Sequence, residues 1–525
     1  MADRNGCHGK YILSIDQGTT SSRAIIFAED GQVVHVKGYP FEQKYPNPGW
    51  CEQDPYDILQ STIRSINEVS ELITPYGCIT AVGITNQRET VIAWDKVTGK
   101  PLYNAIVWLD LRTYDTVKAL TMDGSKDRFR QITGLPISTY FTALKIRWLL
   151  DNVDDVSDAV KEGRCLFGTV DSWLTYNLTG GPDNGGIHVT DVTNASRYML
   201  MDLKTLEWSE EVCHALNIPL ETLPKIVPSS GYIGTISSAL HPAICNVPIT
   251  AMLGDQQSSL VGHGCIQEGQ GKMTLGKGCF MLVNTGQHIV PSSFGILTTV
   301  AFQRSGGDVY YALEGSIANT GRAVQWLCEK LQLIDTPDEV EKLALTVPNT
   351  GGVTFVPAFT GLFAPYWRPD ARAVITGMTL GTTKAHICRA VLEAVALQVL
   401  DVVEAMEKHI GHPLEMFYVD GGMTKNDLFL QMQADTLVKE LYPANLFEFT
   451  SFGVAYAAGL AVDFWDNVPL QSLILNLGGH RKVEPHSEAL TQRKAVRRRW
   501  NDALQRSLNL EEHCPLPDND KARML

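Results

Sequence analysis

The chain has 525 residues, which is more than one hydrophobic core usually contains, so we expect two large domains. Its apolar content of 44% and charged content of 19% are typical of a globular protein and exclude a collagen-like or largely disordered chain. A formal net charge of −14 argues against nucleic acid as a partner, because phosphate backbones bind to basic surfaces.

The first half of the chain reads as strands separated by turns of small or polar residues. The strand-like segments are KYILSID (10–16), RAIIFA (23–28), QVVHV (32–36), AVGIT (81–85) and TVIAW (90–94). Asp30-Gly31 predicts a hairpin before the third of these segments. Helices are expected at 142–150 and 154–161.

The second half repeats this plan. Its strand-like segments are PITAMLGD (248–255), KMTL (272–275), CFMLVN (279–284), GDVYYALEG (307–315) and EMFYVDGG (415–422). QQSSLVGHG (256–264) is expected to open a helix, and apolar residues at helical spacing predict a long helix from Arg389 to Ile410, ended by Gly411. Two α/β halves of this kind commonly hold a ligand in the cleft between them.

The most apolar run, FGVAYAAGLAV (452–462), is too short to span a bilayer, so we expect no strong membrane segment and a cytoplasmic protein. The basic segment KAVRRRW (494–500) is expected to be the solvated face of a last helix.

The turn DQGTTSSR, from Asp16 to Arg23, is rich in glycine and hydroxyl groups. Such a turn exposes backbone N–H groups and side-chain hydroxyls to an anion. Asp16, at the end of a strand, could hold Mg²⁺ directly or through water. The alternative is an ordinary hairpin turn without a ligand.

Asp255 follows a strand and a glycine in LGDQQSS, which would present its carboxylate to a cleft. A carboxylate there could take the proton of an attacking hydroxyl group. The alternative is a helix N-cap, a position that aspartate favours.

Arg88 and Glu89 are adjacent in TNQRET, at the end of a strand. Arginine offers only donors and ionised glutamate only acceptors, so the two could bind neighbouring hydroxyls of a polyol. The alternative is a surface ion pair of little energetic value.

Two glycine turns complete the set of candidate ligand-binding turns. In VDGGMTKN (419–426), the glycines permit close approach of a ligand and Asn426 could hydrogen-bond it. GKMTLGKG (271–278) has the G-x-x-x-x-G-K spacing of a P-loop, but Gly278 replaces the hydroxyl residue that would bind Mg²⁺, so we do not predict a P-loop. Four of these five turns, DQGTTSSR, LGDQQSS, TNQRET and VDGGMTKN, together suggest ATP-dependent transfer of a phosphoryl group to an alcohol.

These motifs resemble the FGGY group of carbohydrate kinases, and within it the branch that phosphorylates glycerol. The resemblance runs from SIDQGTTSSRAIIF at Ser14 to YAAGLAVDFW ending at Trp465, through GITNQRET, YNAIVW, HVTDVTNASR, GDQQSSLVG, FVPAF and APYW. YFTALKIRWLLDN (140–152) is similar to the first signature of the group.

The resemblance implies an α/β fold with two RNase-H-like domains of the actin and sugar-kinase ATPase type, separated by a cleft. We expect an N-terminal domain over residues 1–254, binding glycerol and phosphate, and a C-terminal domain over 255–525, binding the nucleotide. The implied reaction converts MgATP and glycerol into ADP and sn-glycerol 3-phosphate. A homo-oligomer, dimer or tetramer, is also implied.

The resemblance further implies a role for each site residue. Asp255 is expected to be the catalytic base and Asp16 to lie near Mg²⁺. The residues expected to contact glycerol are Arg88, Glu89, Tyr140 and Gln256, with Trp108 and Phe280 as apolar walls. The residues expected around ATP are Thr19, Thr20, Ser21, Arg23, Gly276, Lys277, Gly321, Gln325, Gly422 and Asn426.

The GKMTLGKG turn is similar to the second phosphate-binding hairpin of the group. Lys277 departs from the group's pattern there, because relatives usually carry threonine at this position. The lysine could pair with the phosphates, crowd the nucleotide, or turn to solvent without effect. Three functions therefore stay open: an active glycerol-phosphorylating enzyme, a diverged binding or regulatory paralogue weakened at Lys277, and a kinase for another small polyol.

Overall fold

The computed structural model describes residues 9–124, 126–238, 242–292, 295–368, 370–446 and 448–510. The first half of the chain, up to Gly254, holds twelve strands within the described ranges: β1 (Lys10–Gln17), β2 (Ser21–Ala28), β3 (Val33–Pro40), β4 (Glu52–Gln53), β5 (Cys78–Asn86), β6 (Val91–Asp95), β7 (Ala105–Ile106), β8 (Cys165–Thr169), β9 (Val189–Asp191), β10 (Lys225–Val227), β11 (Ser230–Thr235) and β12 (Pro248–Gly254). Its helices are α1 (Pro55–Ile73), α2 (Tyr114–Thr121), α3 (Arg130–Thr133), α4 (Thr142–Asn152), α5 (Asp154–Lys161), α6 (Val170–Leu178), α7 (Val192–Ala195) and α8 (Glu210–Ala215).

The second half begins with helix α9 (Asp255–Gly262). Its strands are β13 (Gly271–Leu275), β14 (Cys279–Asn284), β15 (Leu297–Gln303), β16 (Val309–Ile317), β17 (Thr354–Val356), β18 (Val374–Thr376), β19 (Met416–Asp420) and β20 (Glu440–Pro443). The further helices are α10 (Gly321–Glu329), α11 (Glu339–Leu345), α12 (Lys384–Ile410), α13 (Asp427–Leu437), α14 (Phe449–Leu460), α15 (Leu470–Asn476) and α16 (Ala489–Ser507).

Each half is built on one six-stranded mixed sheet. The first sheet has the order β11-β12-β5-β1-β2-β3 and the second the order β15-β16-β14-β13-β19-β20. In both sheets, three antiparallel strands are followed by two parallel ones: β3-β2-β1-β5-β12 in the first and β16-β14-β13-β19-β20 in the second. This repeat confirms the predicted α/β fold with two RNase-H-like units. Smaller sheets, β4-β7-β6-β8, β9-β10 and β17-β18, flank the main ones.

Helices α9 and α14 connect the two halves. Helix α14, the apolar run near residue 452, packs its Phe452 and Val454 into the same core as Ile12 and Leu253 of the first sheet. The two helices cross at two glycines: a Cβ on Gly453 would lie 1.8 Å from the carbonyl oxygen of Ser258. A helix from the second half of the sequence therefore completes the core of the first sheet, and the division at residue 254 stays a prediction.

The predicted strands are present, and the long helix extends further than its periodicity indicated. Helix α12 begins at Lys384, where the Thr383 side chain and His386 form a reciprocal capping box. It ends, as predicted, at Gly411, whose φ of 86° is in the left-handed region.

The prediction of a solvated basic face on the last helix is confirmed for Lys494 and Arg498, which are exposed, but not for the whole segment 494–500. Arg497 of α16 pairs with Asp401 of α12 and, at 3.0 Å, with Glu404, and Trp500 is fully buried. Arg497 thus docks α16 against carboxylates of α12. Within the described ranges, none of the helices combines the length and apolarity needed to cross a lipid bilayer.

Candidate active site

Asp255 is the first residue of α9, immediately after β12. The N-cap is Gly254, and the Asp255 side chain makes no capping hydrogen bond, so the N-cap interpretation is wrong. Its Oδ1 lies 3.3 Å from Nε of Arg88, and 30% of its side chain is exposed. The carboxylate is therefore oriented by an arginine and open to a ligand.

Burial raises the pKa of Asp255 to about 6. Arg88 and Lys272 oppose this rise because they are cations, whereas Glu89 and Asp16 add to it because they are anions. A carboxyl group with this pKa is ionised near neutral pH yet basic enough to accept a proton, which is the balance that a general base requires.

Arg88 lies in the loop between β5 and β6 and is buried. Its guanidinium donates two parallel hydrogen bonds to Glu314 of β16, at 2.7 and 2.8 Å, and one to Gln257 at 3.1 Å. Arg88 and Glu89 therefore do not form the surface ion pair that was considered as an alternative: both are buried, and Arg88 pairs with Glu314. Burial opposes ionisation of Glu314, but Arg197 and Arg88 outweigh it and lower its pKa to about 2.

Glu89 is held by a different arginine. Arg197, just after α7, donates from Nε to Oε1 of Glu89 at 2.6 Å and approaches Glu314 at 3.4 Å. The backbone φ of Glu89 is +60°, a left-handed conformation that costs energy for a residue with a side chain. Such strain persists where the surroundings enforce it, and here the buried charges Arg88, Arg197 and Glu314 do so.

Three aromatic rings form an apolar wall beside these charges. Trp108 contacts Tyr140 and Phe280 edge-on, with ring centroids 5.8 and 5.9 Å apart. Burial raises the pKa of Tyr140 well above its ordinary value, so its phenol stays protonated and can donate. The Trp108 indole donates to the Thr19 hydroxyl at 3.0 Å, which ties the wall to the first small-residue turn.

The turn at residues 16–23 is a hairpin between β1 and β2, and it is also rich in polar contacts. The Thr19 carbonyl accepts hydrogen bonds from Gln43 at 2.7 Å and from Gln53 at 2.8 Å. Thr20 is exposed and Ser21 half-buried, so both hydroxyls are accessible. Arg23 binds Asp16 and, at 3.3 Å, Glu448.

A second hairpin, between β13 and β14, faces helix α10. The carbonyl of Gly276 accepts from the backbone N–H of Gly321 at 3.0 Å, and the carbonyl of Lys277 accepts from that of Arg322 at 3.1 Å. The Lys277 side chain is exposed, and no ion-pair partner for it is found in the described part of the chain. The hairpin main chain is thus fixed while the lysine is free to meet an anion.

The turn after β19 contributes the last predicted residues. Gly421 has a φ of 94°, and a Cβ there would lie 2.5 Å from the Leu275 carbonyl oxygen, so it is a packing glycine. Gly422 has open space around it. Asn426 caps α13 by accepting from Phe429 N–H at 2.7 Å, which leaves its NH₂ group for a ligand. Gln325 is half-buried one turn into α10.

Asp16 is the predicted metal residue. Its Oδ2 accepts from Arg23 and, at 2.9 Å, from Ser451, whereas Oδ1 has no hydrogen-bond donor among the described residues. Across those residues, no group of three or more His, Cys, Asp or Glu side chains could hold a metal ion. Mg²⁺ that carries phosphates and waters needs only one or two carboxylates, and Asp16 fits that requirement.

The structure joins the predicted substrate residues into one continuous site and adds buried charges that sequence reasoning missed. The missed charged residues are Arg197, Lys272 and Glu314, and the neutral Gln257 was missed with them. Glu314 in YYALEGS and Lys272 in GKMTL are single charges within apolar strands, and since a buried charge needs a partner, that pattern could have identified them.

Residues 11–262 match the N-terminal domain of the FGGY family of carbohydrate kinases, and residues 271–462 match its C-terminal domain. The chain is 50% identical to a glycerol kinase of Acidiphilium cryptum over 499 residues, which cover 95% of this chain and 99% of that relative. It is 49% identical to a glycerol kinase of Chloroflexus aggregans over 506 residues, 96% of this chain and all of the relative (100%).

Among solved structures, a Plasmodium falciparum glycerol kinase with ADP has a TM-score of 0.88 at 40% identity, covering 95% of this chain and 98% of that one. A gluconate kinase from Lactobacillus acidophilus has a TM-score of 0.82 at 20% identity, with 98% and 99% covered, and shares the fold alone.

Proposed function

The chain belongs to the FGGY family of carbohydrate kinases, and from that membership we propose that it transfers the γ-phosphoryl group of ATP to glycerol, giving sn-glycerol 3-phosphate and ADP. The observation that carries the proposal is Asp255, a partly exposed carboxylate held by the buried Arg88, which also interacts electrostatically with Tyr140 of the aromatic wall. A polyol needs polar groups along its hydroxyl edge and an apolar surface along its carbons, and the described site offers both.

Asp255 serves as the general base. Its carboxylate accepts the proton of the attacking hydroxyl group as the new O–P bond forms. Arg88 keeps it ionised and oriented, and Glu314 in turn keeps Arg88 from moving. Phosphoryl transfer depends mainly on positioning and charge stabilisation, so these fixed charges account for much of the expected rate.

Arg88, Glu89, Tyr140 and Gln256 bind the glycerol hydroxyls in this proposal, and Trp108 and Phe280 pack on its carbon chain. Arg88 and Tyr140 donate, whereas Glu89 accepts. Glu314 holds Arg88 and Arg197 holds Glu89. The hydroxyl-binding groups therefore need little rearrangement when a small polyol enters. The Arg197 guanidinium lies only 5.6 Å from the centre of the Tyr140 ring, and such a short distance between the buried charges and the aromatic wall disfavours a larger sugar.

The nucleotide binds between the two hairpins in this proposal. Thr19, Thr20, Ser21 and Arg23 contact its phosphates from one side, and Gly276 and Lys277 from the other, while Gly321, Gln325, Gly422 and Asn426 line the remainder. Asp16 would hold Mg²⁺ through its free Oδ1. The ion would supply charge neutralisation on the phosphates of ATP.

The substrate and phosphate residues lie mainly before residue 255 and the nucleotide residues after it, in line with domains 1–254 and 255–525. A homo-oligomer and a cytoplasmic location are proposed from family membership. The alternative of a paralogue that binds without turnover has no support from the relatives or from the described site.

The test is ADP release by the purified protein with MgATP and a panel of acceptors: glycerol, erythritol, xylitol and xylulose. We expect release with glycerol that exceeds release with any other acceptor by at least tenfold in kcat/KM. Chromatography of the product identifies sn-glycerol 3-phosphate. Equal or greater turnover of a four- or five-carbon acceptor would show that this acceptor, and not glycerol, is the preferred substrate.

A further inference from the structure

Lys272 is a fully buried lysine at the centre of the second sheet. It lies in β13, opposite Leu282 of β14 and Tyr418 of β19, and none of its surface is exposed. Transfer of an ammonium group from water into a protein interior is costly unless strong partners replace the water. A charge kept at such a position therefore indicates a role besides packing.

The partners of Lys272 connect it to the candidate active site. Its Nζ donates to Oε1 of Gln256 and, at 2.8 Å, to the hydroxyl of Thr274. An ammonium group has no acceptor, so the carboxamide of Gln256 must present its oxygen to Lys272. The NH₂ group of Gln256 consequently points away from Lys272, and no acceptor for it is found within the residues that the structure describes.

We propose that Lys272 is a positioning residue, which holds the Gln256 carboxamide so that its NH₂ group donates to a hydroxyl oxygen of the bound polyol. The inference rests on the proposed function, because the free donor needs an oxygen-bearing substrate beside Asp255. It also fixes the direction of the hydrogen bond: Gln256 donates and the substrate accepts.

Lys272 has a second effect on the same site, through Asp255. Four charged groups act on that carboxylate: Arg88 and Lys272 lower its pKa, and Glu89 and Asp16 raise it. Removing the Lys272 cation therefore raises the pKa of Asp255. A purely structural lysine far from the base would not change the titration of the base.

The experiment is a double-mutant cycle of Lys272→Met and Gln256→Met, with kcat and KM measured for glycerol and for ATP. Loss of a charge-assisted hydrogen bond predicts that Lys272→Met lowers kcat/KM for glycerol about 10- to 100-fold. The KM for ATP should change less than threefold. In the Gln256→Met background, Lys272→Met should raise KM for glycerol less than threefold. The acid limb of the pH profile should move to higher pH in Lys272→Met and stay in place in Gln256→Met.

A second variant covers the case in which Lys272→Met does not fold. Gln256→Glu keeps an acceptor for the buried ammonium but removes the NH₂ donor, so thermal stability should be kept while KM for glycerol rises about tenfold or more. An unchanged KM for glycerol in Gln256→Glu, or additive effects of Lys272→Met and Gln256→Met on KM for glycerol, would overturn the inference alone. A wild-type protein without glycerol-dependent ADP release would overturn the proposed function and this inference with it.

Discussion

Arg88 and Glu314 form an ion pair of two parallel hydrogen bonds, 2.7 and 2.8 Å long, that joins the loop after β5 in the first half to β16 in the second. Both side chains are buried, and the same guanidinium reaches Asp255. The proposed base is therefore positioned by a contact between the two halves of the molecule, so changes in that contact should reach the chemistry.

Glu314→Gln tests this contact. The substitution leaves the charge of Arg88 without its main partner, so we expect the free energy of unfolding to fall by about 3–5 kcal/mol. We expect kcat/KM for glycerol to fall at least about 100-fold, because Arg88 is then free to move towards Asp255. Chemical denaturation and steady-state kinetics measure the two effects. Glu404→Gln is the control: it also removes a partner of two arginines, Arg493 and Arg497, but between α12 and α16, and should leave kcat/KM within about twofold.

The rate of the reaction should depend on pH through Asp255, whose pKa is raised by burial to about 6. The active form is the carboxylate, so kcat/KM for glycerol should be constant above pH 7. It should fall tenfold per pH unit as the pH drops below about 6, where the carboxylate takes up a proton. An acid limb centred near 4, the ordinary value of aspartate, would show that the base is not buried as described.

Lys277→Thr tests the departure at the second hairpin. The Lys277 side chain is exposed and has no ion-pair partner in the described ranges, so we favour pairing with the phosphates of ATP. Its removal should then raise KM for ATP about two- to tenfold with little change in KM for glycerol. If the lysine crowds the nucleotide, the same variant would instead show a higher kcat. If Lys277→Thr and the wild type have identical kinetics, the Lys277 side chain turns to solvent and has no effect on the reaction.

Gly453→Ala tests the crossing of α9 and α14. A methyl group there would lie 1.8 Å from the Ser258 carbonyl oxygen, so the helices would have to separate. We expect a loss of about 1–3 kcal/mol or more in the free energy of unfolding, measured with urea. Gly381→Ala is the matched control, because the nearest atom to its Cβ would be 3.7 Å away, and it should change stability by less than about 0.5 kcal/mol.

The sequence allowed much of the fold to be predicted, because strands such as KYILSID carry a clear apolar pattern and end at turns of glycine and hydroxyl residues. The start of α12 was missed because its first turn is set by the capping pair Thr383 and His386 and not by apolar spacing. The ion pairs of Arg497 could not be predicted, since a basic helix face has the same sequence pattern whether it meets water or the carboxylates of α12.

In the candidate site, the residues with a motif around them could be predicted from the sequence, and their partners could not. Arg88 and Glu89 stand together in the sequence, but the structure separates them: one pairs with Glu314, 226 residues away, and the other with Arg197, 108 residues away. Partnerships at such separations depend on how the two sheets pack. In the sequence, such ion pairs are indicated only by a charged residue within an otherwise apolar strand.

The most direct test of the account is glycerol-dependent ADP release with MgATP by the wild-type protein and by Asp255→Asn, measured side by side at pH 8. We expect turnover by the wild type and a loss of about 100- to 10,000-fold in kcat for Asp255→Asn, with glycerol binding retained in calorimetry. Turnover by Asp255→Asn within tenfold of the wild type, or a wild type whose ADP release does not respond to glycerol, would contradict it.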